Sequence, residues 1–390
     1  MIPVTPRGFK DILPTEARWR ERIITAARQT LSLWGYDPIE TPTLEVLEVL
    51  EQGGQLSSTP FRLFDVDNEL LVLRPDVTLQ VARMVASRLD VADLPLRLRY
   101  VQPVFREEQS LRAASRQFTQ IGVESIGLSG ALADAEVLLL AIDVLEVCGL
   151  KDFTLCIGTV GVLRLLLDAC VSTSVVNEQW RDEMLAACHE GDAVRIEGLS
   201  RIEGLDSRLT QALRALPKIN GHEDAIHRCR NLAEPLGLTD GLDQLQATWE
   251  IITKVGAAQQ TRVDFSVISS YDYYTGLVFE VYAPGLGVAL GSGGRYDRMM
   301  RGFGKDIPAA GFAFSLEAVM RAMILQGSDV QEETNAAVTV LEAAAAKAAG
   351  PEAIDPQAAT DVFLRAARLR AQGTRAVVVD ATTRPVQKES

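Results

Sequence analysis

The chain has 390 residues, 47% hydrophobic and 23% charged, the balance of a globular protein with length for two or three domains. Its 39 Lys and Arg face 52 Asp and Glu, a formal net charge of −13. That excess of acid excludes a broad nucleic-acid-binding surface, which needs clustered cations to release counterions.

In chain order, Trp19, Ile23, Ala27, Leu31 and Trp34 recur at spacings of three and four, the apolar stripe of a helix over 15–34. Thr15 is read as its N-cap and Gly35 as its stop. Residues 36–43 look strand-like, and the runs 61–66 and 70–73 around Asp67-Asn68-Glu69 predict a hairpin. A helix follows over 77–89, then strands over 96–105 and 116–125 joined by a charged loop over 106–115. A loop of that length inside a compact domain is functional or disordered. Further on come a helix over 131–149 and a strand over 153–157.

Between about 160 and 257 strand signals vanish, and helix formers alternate with Gly191, Gly198, Gly204, Gly221 and Gly237, so this stretch reads as a helical insertion. The duplicated Arg-Ile-Glu-Gly-Leu at 195–199 and 201–205 is too brief for a solenoid repeat. Strands return at 262–268, 277–282 and 287–290, followed by a glycine turn at 291–294, a short helix and a strand around 311–314. The alanine-rich tail over 328–390 offers a strand, a helix and a strand at 337–341, 358–371 and 375–379. The expected fold is therefore α+β: an antiparallel sheet flanked by helices, with a helical insertion and a small C-terminal α/β appendage.

Several chemistries drop out. Cys148, Cys156, Cys170, Cys188 and Cys229 are odd in number and never spaced as C-x-x-C, so no disulfide framework or thiolate metal site is expected. His222 and His227 stand five apart, whereas a metalloprotease helix needs histidines four apart; no metal site follows. No phosphate loop, dinucleotide fingerprint or nucleophile elbow is present. No run approaches the ~18 apolar residues of a membrane span, and the opening MIPVTPRGFKDILP lacks a secretion core. A cytoplasmic location is the expectation by elimination.

What stands out is polarity on strands and their ends: Asp76 and Thr78, Arg106 and Glu108, Arg116, Gln117, Gln120 and Glu124, Asp272, Tyr273 and Tyr274, Arg295, Tyr296 and Asp297. Phe118, Gln120, Gly122 and Glu124 share one sheet face, because side chains alternate with period two. A polar face floored by glycine suits a small charged ligand; a solvated outer face is the alternative.

Six motifs in order carry a resemblance: Arg7-Gly-Phe-Lys-Asp-Ile-Leu-Pro14, Leu73-Arg-Pro-Asp-Val-Thr78, Phe105-Arg-Glu-Glu108, Arg116-Gln-Phe-Thr-Gln-Ile-Gly-Val-Glu124, Asp272-Tyr-Tyr-Thr-Gly276 and Gly293-Gly-Arg-Tyr-Asp297. Together they resemble the catalytic domain of histidyl-tRNA synthetase, a class II aminoacyl-tRNA synthetase. The resemblance implies a synthetase-like domain over 1–318 and a separate appendage over 328–390, where that family carries its anticodon-binding domain. It also implies a pocket for free histidine. Asp76 (Glu in many synthetases), Thr78 and Gln120 would hold the α-amino group, and Arg106 the carboxylate. Glu124 and Tyr274 would take the imidazole, with Tyr273 and Tyr296 nearby. The chemistry agrees: an ammonium wants carboxylate and amide oxygens, and an imidazole wants an acceptor and a hydroxyl.

The departures concern ATP. Against the family pattern, Ser269 replaces the arginine before Asp-Tyr-Tyr-Thr-Gly, Ala318 replaces the arginine of the third class II motif, and Ala114 replaces another in the long loop. Arg106 alone remains of the phosphate set. Losing one preorganised donor costs about 2.7–4 kcal/mol; two would cost about 5–8 kcal/mol, roughly 10⁴- to 10⁶-fold in rate if additive. A synthetase-like chain that keeps the amino-acid pocket and loses ATP chemistry is similar to the family of ATP phosphoribosyltransferase regulatory subunits. That resemblance implies a non-catalytic subunit acting with the short-form catalytic subunit in the first step of histidine biosynthesis. Feedback by bound L-histidine, self-dimerisation through the first motif and strand, no cofactor and no nucleic-acid partner are implied as well. Two alternatives stand beside it: a truncated synthetase-like enzyme forming aminoacyl adenylates, and a purely structural activator.

Overall fold

The structure, a computed structural model, describes residues 5–53, 59–90, 93–107, 115–267, 274–327, 338–343, 356–372 and 374–380. Helix α1 spans Pro14–Leu33. It starts one residue earlier than the sequence pattern suggests, with Leu13 rather than Thr15 as N-cap, because Pro14 at the first position loses no hydrogen bond and arrives with a helical φ. Gly35 does stop it: at φ 88° it donates to Ser32 O (3.0 Å) while Tyr36 N reaches Leu31 O (3.0 Å), closing a Schellman cap.

The strand-like stretch that follows shrinks to β1 (Asp37–Pro38), since prolines remove ladder donors. Next come β2 (Leu44–Val46), α2 (Leu47–Glu51), β3 (Arg62–Phe64) and β4 (Leu70–Leu73). The β3–β4 hairpin and β2 make a small three-stranded sheet. After α3 (Thr78–Arg88), strands β5 (Leu96–Phe105) and β6 (Gln117–Ile126) form the long antiparallel pair at the centre of the molecule. Helix α4 (Gly130–Val147) and β7 (Thr154–Thr159) follow.

A largely helical stretch then runs through α5 (Val160–Ser172), α6 (Glu178–His189), α7 (Ala193–Leu199) and α8 (Ser207–Ala215). The two-residue β8 (Asn220–Gly221), α9 (Glu223–Ala233) and α10 (Leu242–Val255) complete it. Side chains of Asn177, Asp192 and Asp206 accept from backbone N–H groups at the starts of α6, α7 and α8, satisfying donors a helix leaves open. The chain re-enters the sheet with β9 (Thr261–Asp264), β10 (Leu277–Tyr282), β11 (Gly291–Arg295), α11 (Asp297–Gly302), β12 (Ala309–Ser315) and α12 (Leu316–Gln326).

The nine-stranded sheet has the order β1-β5-β6-β12-β11-β10-β7-β9-β8. Its six central strands are antiparallel as expected, while β1 on β5 and β9 on β7 pair in parallel, so the sheet is mixed. Strand β11 corrects the sequence reading, which put a strand at 287–290 and a turn at 291–294. Its glycines are there for close approach: a Cβ on Gly293 would lie 2.5 Å from both the Phe279 ring and the Gly311 carbonyl oxygen.

The two sheet faces carry two cores. Ile23, Ala27 and Leu31 of α1, Leu138 and Leu145 of α4, Trp249 of α10 and Ile121 and Val123 of β6 fill one. Val77, Leu79 and Val81 near the start of α3, Met299 and Met300 of α11, and Tyr100, Tyr274 and Tyr296 fill the other.

The last described segments, β13 (Val338–Ala343), α13 (Pro356–Ala371) and β14 (Arg375–Asp380), form a parallel βαβ unit. It packs on the first core through Ala359, Phe363, Ala366 and Val378. Arg97 of β5 donates to Val378 O and makes a bidentate pair with Glu136 (2.7 and 2.8 Å). Arg370 lies 3.2 Å from the Trp34 ring centroid and donates to Ala376 O (3.3 Å). Among the described residues no helix is long and apolar enough to cross a membrane.

Candidate functional site

The site is built where α3 begins against β5 and β6. Pro75 breaks the chain, and the next residues turn into α3 with the Asp76 carboxylate accepting from Leu79 N (3.2 Å). Asp76 is buried; desolvation pushes its carboxyl above the usual range, and the nearby Arg106 guanidinium and the helix amides pull it back. Arg106 donates through Nε to Pro75 O (2.9 Å), and its guanidinium stands 4.9 Å over the Phe118 ring.

On β6, alternation points Phe118, Gln120, Gly122 and Glu124 at this pocket and Ile121 and Val123 at the opposite core. Gln120 is buried and accepts from Val77 N (3.2 Å). Glu124, 1% exposed, is the centre. Tyr100 donates to its Oε1 (3.1 Å), and Tyr296, at the start of α11, donates to its Oε2. Thr78 Oγ1 lies 3.5 Å from the Tyr100 hydroxyl. Burial drives the Glu124 pKa up to about 8 against the pull of donors from Tyr296, Thr78 and Tyr100, and the Asp76 charge adds to the rise. Tyr274 is buried beside Tyr296, whose own phenol is pushed up by burial and then by Glu124.

The structure thus brings Asp76, Thr78, Arg106, Gln120, Glu124, Tyr274 and Tyr296 into one region. Tyr273 lies outside the described residues, as do Glu108, Asp272, Ala114 and Ser269. Sequence reasoning missed Tyr100. The signal was its cross-strand partner: Tyr100 pairs with Gly122, and a Cβ there would lie 2.5 Å from the Tyr100 hydroxyl and 2.7 Å from the Phe312 carbonyl oxygen. Glycine makes room for the phenol that meets Glu124. Arg295 turns away from the pocket to a buried pair with Asp134 (2.7 Å), a structural use of one flagged polar residue. Arg116 pairs with Glu107 (3.0 Å) and covers the Phe61 ring at 4.3 Å.

The buried carboxyl groups of Asp76 and Glu124, both among the described residues, lie near each other, with the Arg106 guanidinium beside Asp76. A ligand bringing a cation and an N–H donor would therefore favour their ionised forms. Among the described residues no group of three side chains is placed to hold a metal ion.

Where the third class II motif ends, Ala318 packs its methyl on the first core. Its neighbour Glu317 accepts from Thr119 N (2.9 Å) and from Arg20 (2.7 Å).

The family model described as histidyl-tRNA synthetase matches residues 8–319. Among curated relatives, an ATP phosphoribosyltransferase regulatory subunit of Moorella thermoacetica is 32% identical over 98% of this chain and 93% of its own. That of Desulfitobacterium hafniense (strain Y51) is 32% identical over 84% of both chains. A crystal structure from Bacillus halodurans C, described as an ATP phosphoribosyltransferase regulatory subunit/histidyl-tRNA synthetase, superposes with a TM-score of 0.76 at 30% identity, covering 99% of this chain and 95% of that one. Histidyl-tRNA synthetase from Nostoc sp. PCC 7120 shares the fold with a TM-score of 0.68 at 21% identity, covering 99% of this chain and 87% of that one. With the ordered motifs and the mixed sheet in place, these likenesses settle the kinship: the chain belongs to the family of ATP phosphoribosyltransferase regulatory subunits, built on the histidyl-tRNA synthetase fold.

Proposed function

We propose that this regulatory subunit is a non-catalytic histidine sensor that assembles with a short-form ATP phosphoribosyltransferase catalytic subunit. Its state of occupancy sets the activity of the first step of histidine biosynthesis. The observation that carries the proposal is Glu124, held between two tyrosine hydroxyls in the region where Asp76 lies beside the Arg106 guanidinium. In this pose the ligand ammonium meets Asp76, Thr78 and Gln120, its carboxylate meets Arg106, and its imidazole N–H meets Glu124 with Tyr274 alongside. Tyr273 completes the proposed set.

Ala318, whose methyl offers no donor to a phosphate, and Ser269 and Ala114 in place of family arginines support a loss of adenylation. Arg106, the remaining arginine, is engaged with Pro75 O and Phe118 and faces Asp76. Exposed Leu13 in the first motif, and exposed Phe64 and Val66 at and just past the end of β3, support self-association. Bound histidine that favours one arrangement of the hetero-oligomer is itself bound more tightly in that arrangement, by linkage.

The test is titration calorimetry with L-histidine, alone and with the short-form catalytic subunit, beside an ATP–pyrophosphate exchange assay. Histidine binds and no exchange occurs. Absence of histidine binding under both conditions removes the sensor role, and exchange at an ordinary synthetase rate removes the non-catalytic one.

A further inference from the structure

The helical stretch α5–α10 reaches the supports of the pocket through Arg164 and Gln244. Helix α5 grows directly from the end of β7, whose Thr159 pairs with Leu277, and Val160 N donates to Gly276 O (3.1 Å). One turn on, Arg164 Nη2 donates to the carbonyl of Tyr274 (2.8 Å). At the other end of the stretch, Gln244 of α10 donates to Asp134 Oδ2, and Asp134 Oδ1 holds Arg295 through Nη2 (2.7 Å) and Nε (3.1 Å). The next residue is Tyr296.

The two routes meet. Thr275 N donates to Arg295 O (2.7 Å), and Asp297 N donates to Thr275 Oγ1 (3.2 Å). Tyr274-Thr275 and Arg295-Tyr296 are therefore clipped together, each with a tether to the helical stretch. The Arg295 and Asp134 side chains are only 6% and 2% exposed, so this tether is rigid and dry.

We infer that the helical stretch is the frame that positions Tyr274 and Tyr296 on the ligand, with Arg164 and Gln244 as its two positioning residues. Neither touches the ligand. Arg164 fixes the backbone from which the Tyr274 ring projects, and Gln244 orients the carboxylate that locks Arg295 and hence Tyr296 against Glu124. A partner that shifts α5 or α10 changes the grip on the ligand, and the ligand in turn resists that shift by the same factor. The inference rests on the histidine-pocket proposal.

The test uses the full chain and calorimetry with L-histidine and with its ring-methylated derivative. Arg164→Met and Gln244→Leu each raise the Kd for histidine by about fivefold, the worth of one hydrogen bond. They also narrow its discrimination from the methylated ligand, because the imidazole-facing tyrosines lose their setting. Arg164→Lys, which keeps a donor within reach, restores most of the selectivity. Thermal melts guard against misfolding: should Arg164→Met unfold, Arg164→Lys and Gln244→Leu decide. Wild-type selectivity in folded variants, with only the melting temperature lowered, overturns the positioning role; failure of the wild-type chain to bind histidine overturns the pocket proposal instead.

Discussion

Glu124→Gln gives the most direct reading of the pocket's electrostatics. Glu124 titrates at about 8 in the folded protein against 4.5 as its ordinary value, so between those pH values the native state holds a proton that the unfolded chain has released. Stability then falls with rising pH at a slope of about 1.4 kcal/mol per unit. The contribution is fully present below pH 4.5 and is gone once pH passes about 8, a total of about 5 kcal/mol if the whole shift is realised. Glutamine imitates the protonated form, so the variant lacks this slope. It has one oxygen acceptor for two phenol donors, which adds an offset of about 1 kcal/mol that does not depend on pH.

The assay is urea unfolding of both proteins from pH 5 to 9, taken as a difference. Other buried acids that also titrate high, such as Asp143 at about 6, largely cancel because both proteins contain them. The difference curve drops steadily to pH 8 and then levels. A flat difference would refute the claim that burial, rather than its hydroxyl donors, sets the state of Glu124. Saturating histidine at about 100 times its Kd should raise wild-type stability by about 2.7 kcal/mol.

Two further substitutions probe the surroundings. Gly122→Ala puts a methyl 2.5 Å from the Tyr100 hydroxyl and 2.7 Å from the Phe312 carbonyl oxygen, so it should cost about 1–3 kcal/mol and weaken histidine binding; wild-type binding with full stability would show that Tyr100 has room to spare. Phe363→Ala removes a side chain 1% exposed in the first core, with an expected loss of about 3–5 kcal/mol on unfolding; a loss below 1 kcal/mol would mean that the C-terminal βαβ unit is only loosely attached.

Strands β5 and β10 were legible to the residue, and α1 and α3 nearly so, because apolar residues recurring at strand or helix spacing next to a proline or glycine leave little choice. The pocket face of β6 was legible for the same reason. Tyr100 was not, because register does not cross a ten-residue loop. Strands set at 96–105 and 116–125 pair residue 100 with 121, on the opposite face, whereas the true partner is Gly122. A slip of one residue turns every side chain over. Strand β11 failed differently: Gly291-Ser-Gly-Gly294 has the composition of a turn, and only the neighbouring Phe279 and Gly311 explain why a strand there must be bare. Helices α2 and α12 and strand β2 went unread.

The two arginines that grip the C-terminal unit, Arg97 from β5 and Arg370 from α13, have one more effect. Carbonyls of Ala376 and Val378 point to one side of β14, as alternate residues do, and guanidinium groups from Arg370 and Arg97 occupy them. No stray ribbon from another molecule can zip onto that side without first evicting two cations from a greasy interior. A short pair of parallel strands, normally an invitation to runaway stacking, is here sealed along one seam by charge.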